Sequence, residues 1–210
     1  MTSQENVQLQ DVPHGESSLH VPVQPDPPLT PEDLLNHPEE ERFELVDGEL
    51  VERKVSSKSS WIAGELFGLL RDHCKREDLG WVWPPDNGFQ CFADSPRTVR
   101  KPDVSFVAKD RLPDGPSGGY EKVVPDLVVE VLSPNDLALE VNAKIELFLH
   151  AGVRIIWVID PEVRTAAVYR SDGSTSRLRF GDELDGESVI SGFRCNISAL
   201  FPPVGEESPA

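Results

Sequence analysis

The chain has 210 residues, with 37 acidic and 20 basic side chains, a formal net charge of −17 and a pI of about 4.6. That length suits one hydrophobic core. So acidic a balance excludes a surface coated in positive potential but not a local basic groove; it also suits a site that gathers divalent cations, although most of these carboxylates read as solvated surface.

Cys74, Cys91 and Cys195 are far apart and form no CxxC pair, which excludes a disulfide framework or a zinc knuckle. No apolar run reaches membrane-spanning length, and the N-terminus lacks the charged and apolar regions of a signal peptide. A reducing, cytoplasmic setting is therefore expected.

Residues 1–28 are rich in Gln, Ser, Asp and Pro without apolar periodicity, which predicts a disordered segment. An ordered domain is expected over 29–201, with a flexible tail at 202–210. Thr30 followed by Pro31 predicts a short helix, Thr30 capping it and Pro31 in its first position. Asp47-Gly48 between two alternating runs predicts a β-hairpin. Residues 59–77 carry Ile62, Leu66, Leu69 and Leu70 at helical spacing, with Ser59 or Ser60 as cap. Trp61 and Trp157 are expected in the core. Short strands follow over 81–83 and 88–92, and a longer one over 99–107.

The run Leu127-Val128-Val129-Glu130-Val131-Leu132 reads as a central strand covered on both faces. Ser133-Pro134-Asn135-Asp136 ends it and caps a helix running to about Ala151, where Gly152 stops it. A strand over 154–159 completes a parallel crossover. The turns at 160–162 and 171–174 flank a further strand. The class is α/β, a mixed β-sheet flanked by helices.

Four residues stand out chemically. Glu130 is a lone carboxylate in an apolar strand, a placement that costs several kcal/mol, roughly, unless the charge is paired or metal-bound. Asp103 interrupts a strand-forming run although aspartate is a poor strand former. Two carboxylates on neighbouring strands suit Mg²⁺ or Mn²⁺, which take hard oxygen ligands. Lys144 falls on the apolar stripe Leu137, Val141, Phe148 and Ala151, from where an amine reaches the sheet edge. Glu44 opens the hairpin and would supply a further carboxylate. Each has a plainer reading: an ion pair for Glu130, a strand-start cap for Asp103, a snorkelling Lys144, a surface pair for Glu44. Lys54, Lys58, Arg97, Arg100 and Lys101 are candidates for phosphate contacts. The histidines, His73 and His150 among them, show no ligand spacing, and there is no P-loop or GxGxxG.

Several strings resemble the Uma2 family. Phe43–Leu50 is similar to its "ELIDGEL" opening, Arg100–Val107 to "RPDVSFV", and Pro125–Pro134 to "PDLVVEVLSP". Lys144, Gly152-Val153 and Trp157–Pro161 continue the pattern, and the resemblance covers about 29–201. It implies a restriction-endonuclease-like fold of the PD-(D/E)XK class and an endonuclease that hydrolyses phosphodiester bonds in nucleic acid, with DNA the expected partner. It further implies Asp103 and Glu130 as metal ligands, Glu44 as the N-terminal carboxylate, and Lys144 in place of the lysine absent at Leu132. A homodimer is expected by analogy with the fold. The alternative is a catalytically inactive module on the same fold that binds nucleic acid or protein. Two positions depart from the family pattern: Phe148 stands where tyrosine is usual, and Ser59 or Ser60 stands near a common histidine.

Overall fold

A computed structural model describes residues 27–202. The segment expected to be disordered lies outside these residues up to position 26, as does the tail from position 203.

Helix α1 spans Pro31–Leu35, with Thr30 and Asp33 forming a capping box. Strands β1 (Phe43–Val46) and β2 (Glu49–Glu52) make the hairpin. Asp47 and Gly48 both have positive φ, 51° and 93°, as the tight turn requires. A side chain on Gly48 would meet the Pro28 Cβ at 2.6 Å.

Helix α2 spans Ser57–Arg76. Ser56 is its cap, and Ser59 closes the capping box from inside the first turn instead of capping the helix itself. Ile62, Ala63, Leu66, Leu70 and Cys74 form the buried stripe. Trp61 was expected in the core but is 54% exposed, because one residue before Ile62 lies a quarter-turn off that stripe.

The main sheet contains β3 (Gly80–Trp83), β4 (Val104–Ala108), β5 (Leu127–Val131), β6 (Ile155–Asp160), β7 (Thr165–Arg170) and β8 (Thr175–Leu178), in that spatial order. Only β5 and β6 pair in parallel, and helix α3 (Ala138–Ala151) makes the crossover between them. The fold is α/β: a mixed six-stranded sheet flanked by helices.

Strand alternation explains why both faces are dry. Val129, Val104, Phe106 and Trp157 pack on the α2 side, whereas Val128, Ile156 and Val158 pack against Ile145 and Phe148 of α3. Strands β9 (Glu183–Asp185) and β10 (Arg194–Asn196) form a separate pair whose Leu184, together with Phe193 and Ile197, extends the α2-side core. Among the described residues no helix is long and apolar enough to cross a membrane.

Three further sequence expectations need correction. No strand forms over 88–92, where Phe89 makes only isolated bridges to Arg100 and Glu121. The strand expected from Val99 starts at Val104: Val99 and Arg100 bridge to Leu45 and Phe89 instead, and Pro102 has no N–H to offer a ladder. Helix α3 starts at Ala138 without a side-chain cap, because Asp136 turns back to accept from the Ser133 N–H. Leu137 consequently leaves the stripe and is 59% exposed. At the other end Gly152 terminates α3 with φ of 104°.

Candidate active site

The central strand decides the site. Parity places Glu130 on the α3 face beside Val128. The antiparallel register pairs Val104 with Val129, which sets Asp103 across from Glu130, just before β4 begins. The Asp103 N–H donates to the Val129 carbonyl at 3.0 Å, and its Oδ2 accepts from the Val131 N–H at 2.7 Å. Asp103 is thus pinned at a strand start by two backbone bonds, while its Oδ1 meets only the Arg53 guanidinium, at 3.9 Å. Asp103 therefore sits at a strand start and faces Glu130 across the register.

Lys144 reaches down from α3. Its Nζ donates to Glu130 Oε2 at 2.9 Å and lies 3.1 Å from Glu44 Oε1. Glu44 is fully engaged: Oε1 also accepts from the Lys101 N–H at 2.6 Å, and Oε2 from Arg100 Nη1 at 3.0 Å. Glu130 differs, because its Oε1 is buried without a hydrogen-bond partner. The four residues singled out in the sequence therefore meet, at the floor of a cleft of about 330 Å³.

The environment separates the three carboxyls. Burial pushes Glu130 up to about 8; Lys144 opposes the rise, and the Asp103 and Glu44 charges add to it. Burial raises Asp103 as well, against Lys144, the Val131 amide and Arg53. Burial would raise Glu44 too, but Lys144, Arg100 and the Lys101 amide outweigh it and hold that carboxyl at about 2. Lys144 stays charged: burial disfavours its proton, but Glu130 and Glu44 more than compensate, and the net shift is upward.

The basic residues expected to touch phosphate divide differently. Lys54 pairs with Glu140 and Lys58 with Glu162, Arg100 serves Glu44, and Lys101 is wholly buried against Glu40. His73 is half-buried and bonded to the Ser191 carbonyl, and His150 is exposed and bonded to Asp94.

Two features escaped the sequence reading. Arg53 lines the cleft beside Asp103. The hairpin register signals it, since Val51 lies opposite Glu44 and Arg53 follows two residues later on the same side. The second is a hydroxyl relay: Ser133 Oγ donates to the Lys54 carbonyl at 3.1 Å and lies 3.1 Å from Ser59 Oγ, tying β5, α2 and the segment after β2 together.

Residues 31–198 match the family described as "Uma2: Putative restriction endonuclease". The chain belongs to the Uma2 family. A crystal structure from Anabaena variabilis ATCC 29413, described as "a putative nuclease belonging to DUF820", is similar to it with a TM-score of 0.71 at 24% identity, over 83% of this chain and 98% of that one. At that identity the likeness speaks for the fold. No curated protein matches the chain. The family departures are accommodated: Phe148 is buried against Phe92, outside the cleft lining, and Ser59 serves the capping box and the relay.

Proposed function

We propose that this Uma2 protein is a metal-dependent endonuclease of the PD-(D/E)XK class that hydrolyses phosphodiester bonds, most simply in DNA. The observation that carries the reading is the bare Oε1 of Glu130, buried beside Asp103 and within reach of a charged lysine. Asp126 Oδ1 also lacks a hydrogen bond but has an arginine at 2.9 Å, whereas the lysine beside Glu130 bonds its other oxygen.

The residues fit a hard divalent cation. Glu130 Oε1 and Asp103 Oδ1 are carboxylate oxygens without a close protein donor, and Mg²⁺ or Mn²⁺ takes such oxygens while keeping several waters. Among the described residues no three His, Cys, Asp or Glu side chains are gathered as a ready cage. When bound, the ion supplies polarisation of the phosphodiester and a more acidic water.

The chain's own groups do the rest. Asp103, fixed by its two backbone bonds, and Glu130 orient the site. Lys144 holds its proton and places a positive charge where negative charge develops on the phosphoryl oxygens. Glu44, permanently ionised and fully bonded, positions that lysine and is not itself free to bind metal. Arg100 balances Glu44.

The test is a cleavage assay on mixed DNA and RNA with Mg²⁺ or Mn²⁺, alongside calorimetry of Mn²⁺ binding. Metal-dependent cleavage that disappears in Asp103→Asn is expected. A wild type that binds no Mn²⁺ would favour the inert binding module instead.

A further inference from the structure

Five basic side chains line the cleft, and four are neutralised at close range, Lys54 by Glu140 at 2.5 Å. Lys144 has two carboxylates at 2.9 and 3.1 Å, Arg100 has Glu44 at 3.0 Å, and Lys101 has Glu40 at 2.6 Å. Arg53 is the exception. Its side chain is only 10% exposed, yet its carboxylate contact is 3.9 Å from Asp103 and its one hydrogen bond goes to the Glu41 carbonyl at 3.3 Å. A guanidinium has five N–H donors, so most of its fork is unspent.

The segment that carries it is anchored. The Arg53 N–H donates to the Arg42 carbonyl at 2.9 Å, and the next carbonyl, that of Lys54, accepts from Ser133 Oγ at 3.1 Å. A pre-positioned, largely desolvated guanidinium with free donors matches a tetrahedral oxyanion, which it grips through two parallel bonds.

We propose that Arg53 is the phosphate-binding residue of the cleft, holding a non-bridging oxygen pair of a backbone phosphodiester beside Asp103. The assignment rests on the nuclease reading but can fail without it. It gives an acidic protein its grip at one point, in place of a broad basic face.

The experiment is titration of metal-free protein with a short oligothymidylate and, separately, with inorganic phosphate, comparing wild type, Arg53→Gln and Arg53→Lys. Arg53→Gln should weaken oligothymidylate binding by about tenfold or more, the scale of losing charge-assisted hydrogen bonds. Arg53→Lys keeps the charge but not the fork and should fall between. Mn²⁺ affinity in Arg53→Gln should stay at or above the wild-type value, because a cation leaves the neighbourhood of Asp103; this also reports an intact fold. Wild-type oligothymidylate affinity in Arg53→Gln overturns the proposal. So does a wild type that takes inorganic phosphate but no oligothymidylate. Arg53-dependent binding without any metal-dependent cleavage keeps the phosphate site and removes the nuclease. Cleavage lost in Asp103→Asn alongside unchanged binding in Arg53→Gln does the reverse.

Discussion

Asp126 and Glu130 lie four residues apart on one face of the central strand, both acidic and both set among apolar neighbours, yet the fold treats them in opposite ways. Asp126 Oδ2 accepts from the Ala108 N–H at 2.9 Å, and its Oδ1 has Arg111 at 2.9 Å and Arg154 at 3.6 Å. Those arginines are 38% and 44% exposed and shut that end of the strand with solvent-facing charge. Glu130 receives no backbone N–H. It has one buried lysine on Oε2 and nothing on Oε1, and it opens into the cleft. Neither Asp126 Oδ1 nor Glu130 Oε1 makes a hydrogen bond, so the two carboxylates are told apart by what faces that oxygen: two arginine charges at Asp126, and at Glu130 a lysine that bonds the other oxygen.

The largest effect should separate the two on activity. Glu130→Gln is expected to lower metal-dependent cleavage on the order of 10³-fold, a loss comparable to removing a principal electrostatic group from an active site. Asp126→Asn should leave the rate per folded molecule unchanged. Steady-state cleavage at matched folded concentration decides it. Equal losses in both would erase the distinction.

Next comes the lysine. Lys144→Met strands Glu130 without a donor while Glu44 keeps Arg100 and the Lys101 amide. Above pH 8, where Glu130 is ionised, breaking this buried pair on one side costs about 3–5 kcal/mol, and less at lower pH, where Glu130 takes up a proton. Changing both partners, Lys144→Met with Glu130→Leu, should recover most of that loss, because apolar replacement of a buried pair is often neutral. Urea denaturation of the cycle checks this. A double variant as unstable as the single one would mean that the pair is not what the stability rests on.

Asp126→Asn should cost less, about 1–2 kcal/mol, since the amide oxygen can still accept from Ala108 and solvent screens the two arginines. Mn²⁺ affinity should not change. Altered metal binding in this variant would place the strand's far end in communication with the cleft.

Sequence reading found the carboxylates more readily than their surroundings. Glu130 was conspicuous because an apolar strand offers no reason for a charge, and Lys144 because it broke a helical stripe; both needed only periodicity. The strand–helix–strand order made the parallel crossover legible, and the Asp-Gly pair made the hairpin so. What did not show was pairing at a distance. The bonds of Val99 and Arg100 to Leu45 and Phe89, which move the strand start to Val104, depend on partners more than ten residues away. Arg53 was missed because its meaning comes from a hairpin register brought against a strand fifty residues later. Leu137 misled because local spacing said helix while Asp136 bonded backwards to Ser133. The β9–β10 pair lacks any strong alternation in its short strands and owes its place to packing on α2.

A pH series sharpens the contrast further. The Glu130 carboxyl is pushed up to about 8 by burial, so its contribution to metal-free stability is full below about 4.5 and is lost as pH rises through 8. Glu44, held at about 2, contributes in the opposite sense: fully above about 4.5, and lost as pH falls towards 2. A metal that needs the Glu130 carboxylate should therefore bind about tenfold more weakly for each pH unit below 8, and level off above it. Mn²⁺ calorimetry from pH 6 to 9 is the measurement, and Glu130→Gln should flatten the slope. A slope that survives in that variant would assign the proton to another group.

The smallest effect tests the sealed end itself. Arg154 is the more distant and more exposed of Asp126's two arginines, and its other bonds, to the Ser188 carbonyl and hydroxyl, are long at 3.4 and 3.3 Å. Removing it leaves Arg111 at 2.9 Å and the Ala108 amide in place. Arg154→Ala should therefore cost no more than about 0.5 kcal/mol in thermal or urea denaturation, the scale of an exposed ion pair. If it costs as much as Asp126→Asn, Arg154 is carrying the neutralisation. The closure of that strand end would then depend on a single cation, as Glu130 depends on Lys144, and a pair of arginines at the second oxygen would no longer be what distinguishes Asp126 from Glu130.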